Sequence, residues 1–192
     1  MIRIVIVDPQ PAARAGLAML LRTEPGLVPV GTATGAHEAT DVVERRRPDV
    51  VVLEPQLPDG DGLALARRLR ALPAAPQLIL YTAEPEGALG LLARVAGVAG
   101  VVDKAAEPAA LFEAARVVAR GGTALPPLPP AELDAAAHRV EPDDLALLAM
   151  LVDRTPPTEV ADALRLDERR LSRRTERLLG RLRARPEPTL VA

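Results

Sequence analysis

The stretch PDVVVLEPQLPDGDG, residues 48–62, decides the fold class of this chain. Residues 50–53 are all aliphatic and do not alternate with polar residues, which predicts a short strand buried on both faces. This strand ends directly at the carboxylate of Glu54, and a proline and a DGDG turn follow before the next helical pattern. A buried strand that ends at an acid in a loop is typical of a parallel α/β sheet with a site at its edge.

Similar aliphatic runs lie on either side of this strand, and helical patterns separate them. Their alternation predicts a doubly wound (βα)5 domain, in which helices cover both faces of a parallel sheet. The last helix is followed by GGTALPPLPP, a Gly- and Pro-rich linker, and then by a small all-helical domain. The predicted domains are 1–120 and 131–192, with the linker at 121–130. The strands of the first domain are predicted at 2–7, 28–31, 50–53, 78–81 and 98–102. The helices of the second domain are predicted at 131–138, 142–153, 157–164 and 168–183.

Four polar side chains come at the carboxyl ends of four predicted strands. They are Asp8, Glu54, Thr82 and Lys104. Because the carboxyl ends of parallel strands lie at one edge of the sheet, we expect these groups to converge on a pocket.

The composition excludes several classes of site. There is no cysteine, so disulfides, thiolate metal sites and a cysteine nucleophile are excluded. With one Phe, one Tyr and no Trp, the chain is poorly suited to stacking single-stranded bases. His37 and His138 are expected at surface or helix positions rather than in a metal site, and no metal or cofactor is predicted. No apolar run reaches the roughly 18 residues of a membrane span, and we expect a cytoplasmic protein without a membrane partner.

The net charge of −2 hides an asymmetry near the C-terminus. Residues 130–164 carry Arg139 and Arg154 against eight acids, whereas residues 165–185 carry nine arginines against three acids. Such a local concentration of arginine predicts an anion-binding face.

Residues 1–120 resemble the receiver domain of bacterial response regulators. The motifs that carry the resemblance are IVIVDPQP at 4–11, PDVVVLEPQLPDGDG at 48–62, LYTAE at 80–84 and GVVDK at 100–104. The resemblance implies an Asp at the end of the third strand that accepts a phosphoryl group, and two acids after the first strand that hold Mg²⁺. It also implies a Ser or Thr at strand four and a Lys after strand five that both contact the phosphoryl group.

This sequence keeps part of that set. Asp8, Thr82 and Lys104 match, but Glu54 stands at the phosphoacceptor position and Pro9 replaces the second acid. Val101 stands where the family often has an aromatic residue that reports the switch. Since Glu54 is one methylene longer than Asp, its carboxylate is expected to pair with Lys104 where a phosphoryl group would lie. Three interpretations of Glu54 stay open: an imitation of the phosphorylated state, a degenerate pocket controlled by a small ligand or a partner protein, and a structural acid.

Residues 140–183 resemble the helix-turn-helix of the NarL/LuxR class. EVADALRL at 159–166 matches the scaffold helix and turn, and Asp167 is expected to cap the recognition helix. Arg165 stands where the turn often has Gly, which predicts either a conformation that does not need glycine or a modestly strained left-handed backbone there. Apolar residues at steps of three and four predict one inward face for this helix. The arginines on the other side are expected to bind DNA: Arg169, Arg170, Arg173 and Arg174 near the groove, and Arg177 and Arg181 at phosphates.

The sequence therefore favours a response regulator of the NarL/LuxR class that binds double-stranded DNA as a homodimer and is controlled without phosphorylation. The alternative is an adaptor that senses a ligand or a partner protein and no longer binds DNA. An enzyme is disfavoured, because no nucleophile–base pair, complete metal site or Gly-rich phosphate loop is present in the sequence.

Overall fold

The computed structural model describes residues 1–85 and 88–184. The chain divides into two compact units, one of Met1–Glu86 and Gly97–Pro126 and the other of Gly87–Ala96 and Pro127–Ala192. The functional domains expected at 1–120 and 131–192 stay a prediction.

The first unit is built on a five-stranded parallel sheet with strand order β2-β1-β3-β6-β7. The chain runs from β1 outward to β2 and then returns to β3 on the other side of β1, which creates the switch in strand order. This confirms the doubly wound fold predicted from the aliphatic runs. The strands are β1 Ile2–Val7, β2 Leu27–Ala33, β3 Val50–Leu53, β6 Gln77–Thr82 and β7 Gly100–Asp103.

The helices of the α/β pattern follow the strands in turn. They are α1 Pro11–Thr23, α2 Ala36–Arg46, α3 Gly62–Arg70, α4 Leu89–Val95 and α5 Pro108–Ala119. Proline at the first turn of α1 and of α5 fixes the helical φ where no backbone donor is needed. Arg47 ends α2 in the left-handed conformation.

A buried cluster on one side of the sheet joins strands to α1 and α5. Ile4, Ile6 and Ile79 of the strands are fully buried there, together with Leu21 of α1 and Val118 of α5. Each such aliphatic side chain contributes about 1.5 to 3 kcal/mol through removal of its surface from water. Burial on this scale holds the strand ends, and with them the pocket residues, at fixed positions.

Apart from β2 and β6, which extend one or two residues beyond the predicted strands, three features of the first unit differ from the sequence expectation. β4 Gln56–Leu57 and β5 Gly60–Asp61 form an antiparallel ribbon that was not predicted. β7 begins two residues later than predicted. The start of the expected linker is attached to the sheet edge, because Ala124 accepts a hydrogen bond from the Val101 N–H (3.0 Å) and donates one to the Ala99 carbonyl (2.8 Å).

The C-terminal part of the second unit is all helical over its described residues, as predicted. The expected helix at 142–153 is a 3-10 turn at Pro142–Asp144 followed by α7 at Leu145–Val152, because Pro142 and the two aspartates favour a tight first turn. Arg165 has φ 53° and ψ 45°, so the turn before the last helix adopts the left-handed one of the two expected conformations. No helix among the described residues is long and apolar enough to cross a membrane. The α-helices are α6 Pro130–Ala137, α7 Leu145–Val152, α8 Pro157–Leu164 and α9 Glu168–Arg183.

Candidate functional site

Three of the four predicted pocket residues meet at the carboxyl edge of the sheet. Asp8 follows β1, Glu54 follows β3 and Lys104 follows β7. The Lys104 ammonium lies 2.5 Å from Asp8 Oδ2 and 2.7 Å from Glu54 Oε2. One cation therefore joins two carboxylates, and the predicted pairing of Glu54 with Lys104 is present.

The second oxygen of each carboxylate accepts a backbone hydrogen bond. The Gln10 N–H donates to Asp8 Oδ1 at 2.8 Å, and the Gln56 N–H donates to Glu54 Oε1 at 3.2 Å. Asp8 is 4% exposed, so its charge is held inside the protein by these contacts. Both carboxylates are thus satisfied by groups of the chain itself.

The environment of Lys104 favours its charged form. Burial acts to lower the pKa of Lys104, but the hydrogen bonds and charges of Asp8 and Glu54 outweigh it, and the pKa is raised from its usual range. The Tyr81 ring adds a cation–π contact, with the ammonium 5.8 Å from the ring centroid. Burial is the main cause that raises the pKa of Tyr81. Tyr81 was not among the predicted site residues, although its place beside Thr82 in LYTAE was a signal for it.

Thr82 lies at the end of β6 and is 3% exposed. Its hydroxyl oxygen accepts a hydrogen bond from the Glu84 N–H at 3.2 Å, and its carbonyl accepts one from the Lys104 N–H at 2.8 Å. Thr82 thus positions the backbone of Lys104, and its side-chain oxygen is used within its own loop.

The loop that carries Glu54 is fixed at two points. A Cβ on Gly62 would lie 2.7 Å from the Pro55 carbonyl oxygen and 2.8 Å from the Glu54 carbonyl oxygen, so glycine is required for this close approach. At the other end of the ribbon, Asp59 accepts hydrogen bonds from the Ala36 N–H (2.7 Å) and the His37 N–H (3.0 Å). These backbone hydrogen bonds, with one from the His37 side chain, lower the pKa of Asp59.

The pocket residues do not fit a Mg²⁺ ion. Mg²⁺ takes near-octahedral oxygen ligands, usually with one or two carboxylates that are free to bind it. Pro9 offers no side-chain oxygen, and Asp8 and Glu54 both contact the ammonium of Lys104. Among the described residues, no group of three or more His, Asp or Glu side chains is placed to hold a metal ion.

The second candidate site is α9, which carries the six predicted DNA-binding arginines. Leu171, Thr175, Leu178 and Leu182 are buried and form its inward face. The Asp167 side chain accepts a hydrogen bond from the Arg170 N–H at 2.8 Å, so the predicted N-cap is present. At the other end Arg139 donates to the carbonyls of Arg181 (3.1 Å) and Leu182 (2.5 Å), which fixes the last turn.

Two of the six arginines are held by acids of the 3-10 turn. Arg174 Nε lies 2.5 Å from Asp144 Oδ1, and its guanidinium also donates to the Asp143 carbonyl. Arg181 pairs with Glu141 and lies 3.7 Å from Asp144 Oδ2. Asp144 is 4% exposed, so one buried carboxylate anchors two guanidinium groups. The hydrogen bond that the Arg181 guanidinium donates to the Glu141 carboxylate is the main cause that raises the pKa of Arg181.

The other four arginines are exposed. Arg169, Arg173 and Arg177 form no ion pair within the described residues, and Arg170 has one exposed contact, 3.3 Å from Asp167 Oδ2. Sequence reasoning assigned all six arginines to DNA, four near the groove and two at phosphates. The Asp143-Asp144 pair directly before the apolar α7 is the sequence signal that could separate the held arginines from the exposed ones. It shows which arginines are held only once the packing of α9 against this pair is known.

Comparison with known proteins identifies the family. The model of the response regulator receiver domain matches residues 4–116. The chain belongs to the response regulators. It is 33% identical over 193 aligned positions to the DNA-binding transcriptional activator DevR/DosR of Mycobacterium tuberculosis, with 95% of this chain and 88% of that protein covered.

Solved structures support the same family. A two-component response regulator of the LuxR family from Aurantimonas sp. is similar with a TM-score of 0.62 and 32% identity, covering 66% of this chain and 91% of that one. The RcsB response regulator of Salmonella typhimurium matches 97% of this chain and 94% of its own with a TM-score of 0.59. At 17% identity, that match shows the fold alone. The predicted membership of the NarL/LuxR class of response regulators is confirmed.

Proposed function

We propose that this response regulator is a DNA-binding transcriptional regulator whose receiver pocket works without phosphorylation. The observation that carries the proposal is the position of the Lys104 ammonium, 2.5 Å from Asp8 and 2.7 Å from Glu54. A phosphoryl group would need Lys104 as a partner, so Asp8 and Glu54 would first have to give up their ion pairs with Lys104. The pocket is instead closed by its own ion pairs.

The DNA-binding part of the proposal rests on α9. Its N-terminus is capped by Asp167, its inward face is apolar, and four exposed arginines line its outer side. A helix of this kind can enter the major groove with its first turns and neutralise phosphates with its flanking guanidinium groups. DevR/DosR, to which the chain is similar over most of its length, is named a DNA-binding transcriptional activator.

The proposal includes a homodimer on a two-half-site operator. The four exposed arginines proposed to bind DNA on one helix cover few phosphates, and two helices about one DNA turn (about 34 Å) apart would double the contacts. Sedimentation of the protein with a duplex would give the stoichiometry, and a single copy on every duplex would contradict the dimer.

The pocket is tested with a small phosphodonor and Mg²⁺, followed by intact mass measurement. We expect no phosphoryl adduct on the wild type. Glu54→Asp restores the family's acceptor, but Pro9 still lacks a ligand oxygen, so we expect at most a slow adduct. An adduct on Glu54 of the wild type would contradict the proposal.

DNA binding is tested with the same proteins on a pool of random duplexes over a range of salt. We expect the logarithm of the affinity to fall linearly with the logarithm of salt, by about 0.9 per phosphate contact. Glu54→Gln keeps the side-chain size but removes the charge. If Glu54 imitates a phosphoryl group, this variant loses DNA affinity; if the pocket is held by a ligand or partner protein, the affinity is unchanged. Absence of duplex binding by the wild type at low salt would favour the adaptor instead.

A further inference from the structure

The outward face of α9 carries a narrow set of side-chain types. Over its first three turns the exposed residues are arginines, glutamates and one serine. Its threonine, Thr175, is buried and donates its hydroxyl to the Leu171 carbonyl at 2.9 Å. The exposed residues are Glu168, Arg169, Arg170, Ser172, Arg173, Glu176 and Arg177.

These types match one kind of base pair. Arg pairs bidentately with guanine O6 and N7, and Glu accepts from the cytosine amino group. Adenine is read bidentately by Asn or Gln, and residues 127–192 contain neither. The thymine methyl is read by apolar contacts such as Ala or the Thr methyl, and the first three turns of α9 expose neither. The face therefore has partners for guanine and cytosine and lacks the usual ones for adenine and thymine.

The rotation of α9 decides which arginines lie on this face. Arg169, Arg173 and Arg177 are four residues apart, so with about 3.6 residues per turn they form one line opposite the buried leucines. Arg174 and Arg181 lie to one side, where Asp144 and Glu141 hold them. The buried Asp144 thus fixes the helix so that the line Arg169–Arg173–Arg177 points outward.

We propose that α9 reads guanine-rich half-sites in the major groove of duplex DNA. Arg169 and Arg173, in the first two turns, pair with guanines, while Arg177 contacts a phosphate. Arg174 reads no base and positions the helix. This inference rests on the proposed binding of duplex DNA and adds the base composition of the half-site.

The test begins with a selection experiment, in which this 192-residue chain binds duplexes from a randomised pool and the bound duplexes are sequenced. We expect the enriched sequences to share runs of guanine in each half-site. Replacement of these guanines by 7-deazaguanine, which pairs normally but lacks the N7 acceptor, is expected to weaken binding about tenfold per contacted guanine. Enrichment of A·T-rich sequences, or no effect of 7-deazaguanine, would overturn the inference while duplex binding stands. Failure to bind any duplex would overturn the proposed function as well.

Two matched variants test which arginine of α9 recognises guanine. Arg173→Lys keeps the charge but loses the bidentate geometry, so we expect it to lose the discrimination against 7-deazaguanine at the guanine that Arg173 contacts, to keep it at the guanine that Arg169 contacts, and to keep its salt dependence. Arg174→Lys makes the same change on the side held by Asp144, and we expect it to keep the discrimination of the wild type. Discrimination lost in Arg174→Lys and kept in Arg173→Lys would overturn the assignment.

Discussion

Two ion-pair clusters in this chain are built with opposite charges. In the receiver pocket one half-buried cation, Lys104, joins the carboxylates of Asp8 and Glu54. In the helical unit one buried carboxylate, Asp144, lies against the guanidinium groups of Arg174 and Arg181. The first cluster uses the cation that a phosphoryl group would need. The second uses two of the six arginines predicted to bind DNA, and the other four are exposed on the same helix.

The comparison shows that charged side chains of one helix can differ in role. Two arginines of α9 are held in ion pairs of the chain, and others remain exposed and available to a ligand. A predicted ligand-binding residue is free to bind only if no group of its own chain already satisfies it. Lys104 fails this criterion because two carboxylates hold it. Arg173 meets it, since within the described residues it forms no ion pair.

The largest effect is expected from Asp144→Ala. Removal of the carboxylate leaves Arg174 and Arg181 with fewer partners beside a packed interior, and loss of one partner of a buried ion pair costs about 3 kcal/mol or more. We expect a lower unfolding midpoint in circular dichroism and faster amide hydrogen exchange in α7 and α9. Asp143→Ala is the matched control: its exposed side chain is adjacent, and a change within about 0.5 kcal/mol is expected. Equal losses in both variants would contradict an anchoring role for Asp144.

Lys104→Met breaks the opposite cluster. The 4%-exposed Asp8 and its neighbour Glu54 then face each other without a cation, and we expect a loss of about 2 kcal/mol at neutral pH. The fluorescence of Tyr81, the one tyrosine in a chain without tryptophan, reports unfolding of this unit.

The pH dependence of that loss follows from the raised pKa of Lys104. The folded protein holds the proton more tightly, so the contribution of Lys104 is complete below the ordinary lysine value of 10.5 and disappears as the pH rises through the folded value. The stability difference between wild type and Lys104→Met should thus be constant around neutral pH and shrink only in strong alkali. A difference that vanishes near pH 7 would contradict the ion pairs.

Gly62→Ala tests whether the backbone sets the position of Glu54. The new methyl would meet backbone atoms of Pro55 and Glu54 at 2.7 to 2.8 Å, which side-chain motion cannot relieve, so we expect a cost of about 1 to 2 kcal/mol. Gly60→Ala is the control in the same ribbon, because its methyl would lie 3.5 Å from the Ala36 methyl, an ordinary contact. Equal unfolding midpoints for the two variants would show that the loop can shift without cost.

The sequence predicted the pocket because its geometry follows from strand order. The ends of β1, β3 and β7 must lie at one edge of a parallel sheet, so the pairing of Glu54 with Lys104 could be expected from their places in the pattern. The β4–β5 ribbon was missed since two-residue strands leave no periodic signal. The contact of Arg174 with Asp144 joins residues 30 positions apart and depends on helix packing, which periodicity does not give. Charge pattern alone therefore assigned Arg174 and Arg181 to DNA.

The smallest effect is a gain, expected from Gly180→Ala. Gly180 lies in the last turn of α9, three residues after Arg177, and a Cβ there would meet no atom within 4 Å. Because glycine inside a helix is about 0.8 to 1 kcal/mol less favourable than alanine, the variant should unfold at a slightly higher temperature. Gly16→Ala in α1 is the same change in open space in the first unit. The two gains should be similar and additive, since the sites lie in different compact units. Gly180→Ala is compared with the wild type for DNA affinity as well as stability. A gain in stability with a loss of DNA affinity would show that the lack of a Cβ at Gly180 lets α9 approach the DNA backbone closely, at the expense of helix stability.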